Sequence, residues 1–210
     1  MDGRNRAANI VSSTPHRKLR MNIRTLFESE RARYVSHLLN ARSKAELEFP
    51  GCVSELLLSI NNEAIPYPYR YLRVDLLHPA PDGNPQPCEV RVGLDPAFQA
   101  KQFDYGSFVV EVRPFTWNSV HVLFDRPVPD DELLDSWISD RLDIESKSVD
   151  SEGGLSLAVH SFTQLGRDGD WWHLTGDFGT APAEALVQFV ELLASQGATR
   201  IVITGGDATT

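Results

Sequence analysis

Cysteine is almost missing: the 210 residues hold only Cys52 and Cys88, in no CxxC spacing. That excludes a disulfide-stapled secreted scaffold and a cysteine-ligated zinc module, and it fits reduced thiols in a cytoplasm. No apolar run approaches the roughly 20 residues that a membrane-spanning helix needs. The basic residues near the N-terminus lead into no apolar stretch, so a secretory signal is not expected either. The usual catalytic punctuation is also lacking, with no G-x-S-x-G elbow, Walker loop, G-x-G-x-x-G turn or H-E-x-x-H pair. Thr204-Gly-Gly-Asp207 has no following helix whose amides could meet a phosphate, and Gly176-Asp-Phe-Gly179 stands without the glycine-rich loop and strand lysine of a kinase. No motif calls for a cofactor or a metal ion.

What the chain has in excess is negative charge, −9 overall with 29 acidic against 20 basic residues. The distribution is uneven. Residues 1–20 carry Arg4, Arg6, Arg17, Lys18 and Arg20 against Asp2, and the remainder holds 15 basic and 28 acidic side chains, a net −13. An acidic body repels nucleic-acid phosphates and anionic lipid and steers basic protein surfaces toward itself. Residues 1–20, polar and without periodicity, read as a disordered basic tail, and 205–210 as a frayed C-terminus.

Between these ends the patterning is that of an α+β protein. Thr25-Leu-Phe-Glu28 is a capping-box pattern opening a helix over about 26–41, with Phe27, Tyr34, Val35, Leu38 and Leu39 on one face and Glu30, Arg31, Arg33 and Arg42 opposite. Strand patterns follow at 52–60, 69–77, 88–94 and 107–114, with a proline-rich connection over 79–87. From 117 to 204 the order is strand (120–124), helix (130–142), strand (155–163), strand (171–177), helix, strand (200–204). Leu186, Phe189, Val190 and Leu193 give the second helix its apolar stripe; Thr180 is the expected N-cap and Gly197 the expected stop. This βαββαβ order predicts a ferredoxin-like C-terminal half, joined to an N-terminal unit (21–116) of one helix and additional antiparallel strands.

Residues 120–138 align without a gap on 172–190 at a constant offset of 52, which pairs His121 with His173, Asp125 with Asp177, Glu132 with Glu184 and Leu134 with Leu186. In a ferredoxin-like sheet the first and third strands are neighbours. His121 and His173 are then expected on one face, with Thr175, Asp125 and Asp177, as a candidate catalytic or metal-assisted hydrolytic set. His173-Leu-Thr175 resembles one half of the His-x-Thr/Ser signature of the two-histidine phosphoesterases; the matching triplet, His121-Val-Leu123, lacks the hydroxyl that the signature requires.

The charge pattern and the missing catalytic motifs together favour binding over catalysis. The expectation is an acidic, cytoplasmic protein-binding protein, such as an immunity-type inhibitor of a toxin or enzyme with a basic surface. Asp130, Asp131, Glu132, Asp135, Asp140 and Asp143, on or near one helix, are the candidate partner-binding residues. A structural adaptor using Tyr67, Tyr69 and Tyr71 as a contact surface is the remaining class.

Overall fold

A computed structural model describes the backbone of residues 15–79, 83–145 and 154–205, and the side chains of these from residue 23 onward. The tail expected over 1–20 falls outside the described residues up to residue 14, but 15–20 are helical rather than disordered; of the expected frayed end, Gly205 belongs to the last strand and 206–210 lie outside the described residues. The first element, α1 (Pro15–Glu48), is longer than its sequence pattern, at about 50 Å for 34 residues. Ile23, Phe27, Glu30, Tyr34 and Leu38 form its buried stripe, spaced by three or four residues.

A small antiparallel sheet follows, β1 (Val53–Ser59), β2 (Tyr71–Pro79) and β3 (Pro85–Cys88), in the order β1-β2-β3. The strand expected at 88–94 is therefore displaced into the proline-rich segment. Its prolines are tolerable because β3 is an exposed edge, where unpaired amide positions face solvent. Cys52, just before β1, and Cys88, the last residue of β3, are free thiols with β2 between those outer strands.

The large sheet contains β4 (Lys101–Asp104), β5 (Val109–Val112), β6 (Val120–Phe124), β7 (Ser161–Phe162), β9 (Trp171–Asp177) and β10 (Arg200–Gly205) in the order β4-β5-β10-β6-β9-β7. A short β8 (Gly166–Asp168) pairs further along β9 through the turn at Gly169-Asp170. With α2 (Asp131–Leu142) after β6 and α3 (Ala183–Ser195) after β9, the segment β10-β6-β9-β7 is the ferredoxin-like arrangement. β4 and β5 extend it at the β10 edge, β5 running parallel to β10.

The two segments offset by 52 residues are related by an approximate two-fold axis. Val122 pairs with its own counterpart Leu174, while His121 faces Thr175 and Leu123 faces His173. The same symmetry stacks Trp137 of α2 on Phe189 of α3, their ring centroids 4.9 Å apart. Val120, Val122, Phe124 and Leu174 are buried in one core with Leu134, Ile138, Leu186, Val190 and Leu193. α1 packs across α3, and Phe27 meets Phe115 edge-on.

The strand expected at 155–163 is reduced to two residues because its backbone is used elsewhere. Leu157 has a positive φ, Val159 donates its amide to Arg141 O, and Ser156 is held by Glu55. Thr180 is likewise not the cap of α3: Pro182 holds that position, and the Thr180 hydroxyl donates to Glu55. The arginines expected on a solvated face of α1 are structural. Arg31 donates to Ala181 O and Thr180 O, Arg33 pairs with buried Glu30, and Arg42 donates to Gly154 O. The helix has neighbours on two sides, while Ala32, Ser36 and Asn40 stay exposed to solvent.

Phe189 sits where the two repeat units meet, so Phe189→Ala is expected to cost about 3–5 kcal/mol, as large aromatic truncations in closed cores do. Leu133→Ala, one turn into α2 at an exposed position, should cost under about 0.5 kcal/mol. Chemical denaturation of both variants checks this; equal losses would contradict a shared core at the two-fold axis.

Candidate functional site

The five members of the histidine set do not converge. The His121 and His173 rings do approach, with centroids 5.3 Å apart, and His121 Nδ1 lies 2.9 Å from Thr175 Oγ1. Burial first, and then the neighbouring His173, push the His121 imidazole below its ordinary range. Asp125 and Asp177, however, follow their strands' C-terminal ends. Antiparallel pairing about Val122–Leu174 sends those ends apart, by roughly 20 Å at ~3.4 Å per residue. Asp125 accepts hydrogen bonds from the Thr199 and Arg200 amides and the Thr199 hydroxyl, fastening the start of β10. Asp177 joins a different cluster.

The acidic set on α2 also divides. Asp130 is the N-cap and accepts from the Leu133 amide. Asp143 is the left-handed C-cap, 3.8 Å from Arg73. Asp140 lies about 180° around the helix from Asp131, nine residues at about 100° each. Asp131 and Asp135, one turn apart, line a cleft of about 290 Å³ with Pro66, Tyr69, Leu134, Gln164 and Leu165. Burial, with Asp131 adding to it, raises the Asp135 carboxyl above its usual range against the lowering effect of a hydrogen bond from Tyr69. Glu132 is exposed beside this cleft without lining it.

The densest group of ionisable side chains is one that motif reading does not reveal. The β1–β2 register places Ser54 opposite Leu76 and Leu56 opposite Val74, so Glu55 and Asp75 face each other directly across the pair. Both are buried, and Glu55 takes a φ of 53°, an unusual left-handed conformation for a side-chain-bearing residue. Like charges at directly opposed positions repel. The compensating cation is His160, fully buried in the segment before β7. Its Nε2 donates to Glu55 Oε1 at 3.0 Å, and its Nδ1 forms an ion pair with Asp75 Oδ1 at 3.0 Å. Asp177 Oδ2, from the end of β9, is 3.8 Å from the same Nδ1.

Neighbouring donors complete the cluster. Glu55 accepts from the Ser156 hydroxyl at 2.6 Å, the Ser156 amide at 2.9 Å and the Thr180 hydroxyl at 2.5 Å. Asp75 accepts from the Tyr34 hydroxyl of α1 at 2.5 Å and from the Val90 amide at 2.6 Å. Burial and the carboxylates of Asp177 and Asp75 hold the Tyr34 phenol far above its ordinary range. One side of the cluster opens through Asp75 and Asp177 onto a cleft of about 210 Å³, lined also by Leu72, Arg73, Val74, Cys88, Glu89 and Ser161. Among the described residues, Asp75, His160 and Asp177 are a set whose donor atoms stand close enough to share a metal ion.

Gly179 explains how the imidazole fits. A Cβ built there would fall 2.0 Å from His160 Cδ2, and the residue has a φ of +47°. Its role is to leave room for the ring as well as to make the turn into α3.

No known protein family, curated protein or solved structure matches this chain.

Two predictions arise from the cluster. Gly179→Ala drives a methyl into a buried imidazole and is expected to cost over about 3 kcal/mol, whereas Gly197→Ala, also at positive φ but facing open space, should cost about 1 kcal/mol. Thermal and urea unfolding of the two variants compares them. The second concerns pH. Burial alone would raise Glu55, but the hydrogen bonds from His160, Ser156 and Thr180 hold it at about 2. Its stabilisation is therefore present above the unfolded value of ~4.3 and lost as pH falls toward the folded one. Burial would lower His160, yet Asp177, Asp75 and Glu55 raise it to about 10, so its contribution is complete below ~6.5 and lost as pH rises through about 10. Burial lifts Asp177 to about 7, so its carboxyl disfavours the folded state progressively from ~4 to about 7. The urea midpoint, followed by tryptophan fluorescence, is expected to fall from pH 5 to pH 9. A midpoint as high at pH 9 would contradict these assignments.

Proposed function

We propose that the chain is a protein-binding protein that receives a basic segment of its partner in the cleft of Asp131, Asp135 and Tyr69. The observation that carries this reading is the cleft itself: two carboxylates one helical turn apart beside a tyrosine, in a recess of about 290 Å³. A lysine or arginine placed there relieves the repulsion between Asp131 and Asp135 and lies against an aromatic side chain. The net −13 of residues 21–210 adds long-range attraction for a basic surface. Stoichiometric inhibition of an enzyme with a basic active-site face, in the manner of an immunity protein, is the specific form of this reading. A cytoplasmic location belongs to it too, and suits the free thiols Cys52 and Cys88.

The hydrolytic reading retains less support. His121, His173 and Thr175 meet, but without Asp125 and Asp177 the group has two imidazoles and a hydroxyl and no carboxylate to orient or charge either ring.

Affinity capture with the wild-type chain and with Asp131→Asn/Asp135→Asn, washed at 50 and 300 mM salt on the scale of Debye screening, tests the proposal. A basic protein held by the wild type is expected to bind the double variant about 100-fold more weakly, at roughly tenfold per carboxylate, and to loosen with salt. Asp140→Asn, on the far side of α2, should retain it. Equal capture by all three proteins, or capture indifferent to salt, counts against the cleft.

A further inference from the structure

We propose that Asp75, His160 and Asp177 form a binding site for a divalent transition-metal ion of the Zn²⁺ class, reached from the cleft between the small sheet and the end of β9. The proposal is independent of any partner in the Asp131/Asp135 cleft. It starts from the His160 ring. The side chain is completely buried, yet among the described residues nothing hydrogen-bonds its Nδ1. Asp75 Oδ1 is near at 3.0 Å, but it lies off the direction in which a ring N–H would point. The nitrogen is thus a buried atom without a hydrogen bond, standing beside two carboxylate oxygens, Asp75 Oδ1 and Asp177 Oδ2.

The opposite ring nitrogen is committed. Nε2 donates to Glu55 Oε1 at 3.0 Å, which keeps a proton on Nε2 and leaves Nδ1 as the atom able to offer a lone pair. Carboxylate, histidine and metal in line is the usual arrangement by which an outer carboxylate orients a ligating imidazole and strengthens it as a donor. Glu55 is itself fixed by Ser156 and Thr180. The cation would take the place that a proton occupies on Nδ1 when the site is empty.

The spacing matches a small cation. With metal–ligand bonds of about 2.0–2.1 Å, ligand atoms in a tetrahedron stand about 3.4 Å apart. Nδ1 is 3.0 Å from Asp75 Oδ1 and 3.8 Å from Asp177 Oδ2, values that bracket this edge. Both carboxylates are already oriented, Asp75 by Tyr34 and the Val90 amide, Asp177 by the Gly179 amide. Each oxygen retains lone-pair capacity beyond the bond it accepts. The cleft of about 210 Å³ leaves room for water to complete the coordination shell. Charge favours occupancy as well: Glu55, Asp75 and Asp177 surround one imidazole, and Arg73, which also lines the cleft, is tied by its guanidinium to Glu55 O and Leu142 O. Ca²⁺ prefers six to eight oxygen ligands and Mg²⁺ a largely hydrated octahedron, so an imidazole with two carboxylates selects a transition metal over either.

Binding would join β2 of the small sheet to β9 of the large one. The test uses the untagged full chain, stripped with chelator and titrated with Zn²⁺ by calorimetry, with Mg²⁺ and Ca²⁺ titrated for comparison. One Zn²⁺ per chain is expected, with a rise in melting temperature and with Mg²⁺ and Ca²⁺ at least tenfold weaker. Asp177→Asn removes the most accessible ligand and should weaken Zn²⁺ at least tenfold while the circular dichroism spectrum stays native. Cys52→Ala/Cys88→Ala and His121→Ala/His173→Ala should bind as the wild type does. Co²⁺ in the same site should give a d–d spectrum without sulfur-to-metal charge transfer. Lack of stoichiometric uptake, unchanged affinity in Asp177→Asn, or loss of binding in the cysteine or the His121/His173 variant would overturn the assignment.

Discussion

A single imidazole between two opposed carboxylates sets the terms for the rest of the molecule. Glu55 and Asp75 face each other across neighbouring strands, and His160 supplies the positive charge that permits both to be buried. Removing one partner of a buried charge pair typically costs about 3–5 kcal/mol, because the other is left uncompensated in a medium of low polarisability. The left-handed backbone of Glu55, the bare Cα of Gly179 and the curtailed β7 strand all accommodate this contact. Its three members come from β1, β2 and the segment before β7, so the small sheet and the ferredoxin-like unit are joined by charge as well as by apolar packing.

Arginines distribute that joint outward. Arg73, beside Asp75 on β2, donates to Glu55 O and to Leu142 O at the C-terminal end of α2. Free carbonyls at a helix end carry partial negative charge, which a guanidinium complements. Arg31 does similar work from α1, donating to the carbonyls of Thr180 and Ala181 just before α3. As a result α2 is held at one end by the buried cluster, while its first two turns present Asp131 and Asp135 to the acidic cleft. The cleft stands on a fastened helix.

Much of the ferredoxin-like half was legible because its strands alternate cleanly and α3 carries an unbroken apolar stripe. The offset of 52 residues even contains the register, since Val122 pairs with its counterpart Leu174. Followed through, that register separates Asp125 from Asp177 on sequence grounds alone. The buried cluster left a fainter trace: one ionisable residue inside each of three apolar runs, Glu55 in Val53–Leu58, Asp75 in Val74–Leu77 and His160 in Leu155–Phe162. Periodicity treats such a residue as an interruption. Only the pairing of strands far apart in sequence shows that the three interruptions answer one another. The arginines of α1 escaped for a related reason, because a helical pattern gives a stripe without saying how many neighbours the other face will find.

The distance along the chain between Glu55 and His160, 105 residues, has a bearing on synthesis. At about 5–20 residues per second, translation delivers the imidazole roughly 5–20 s after the glutamate. Through that interval the nascent β1–β2 hairpin carries two facing carboxylates and Arg73, but not the imidazole that lies between both carboxylates in the folded chain. The buried ion pairs of the N-terminal sheet are thus completed only by a residue still to be translated when the sheet's own strands have emerged.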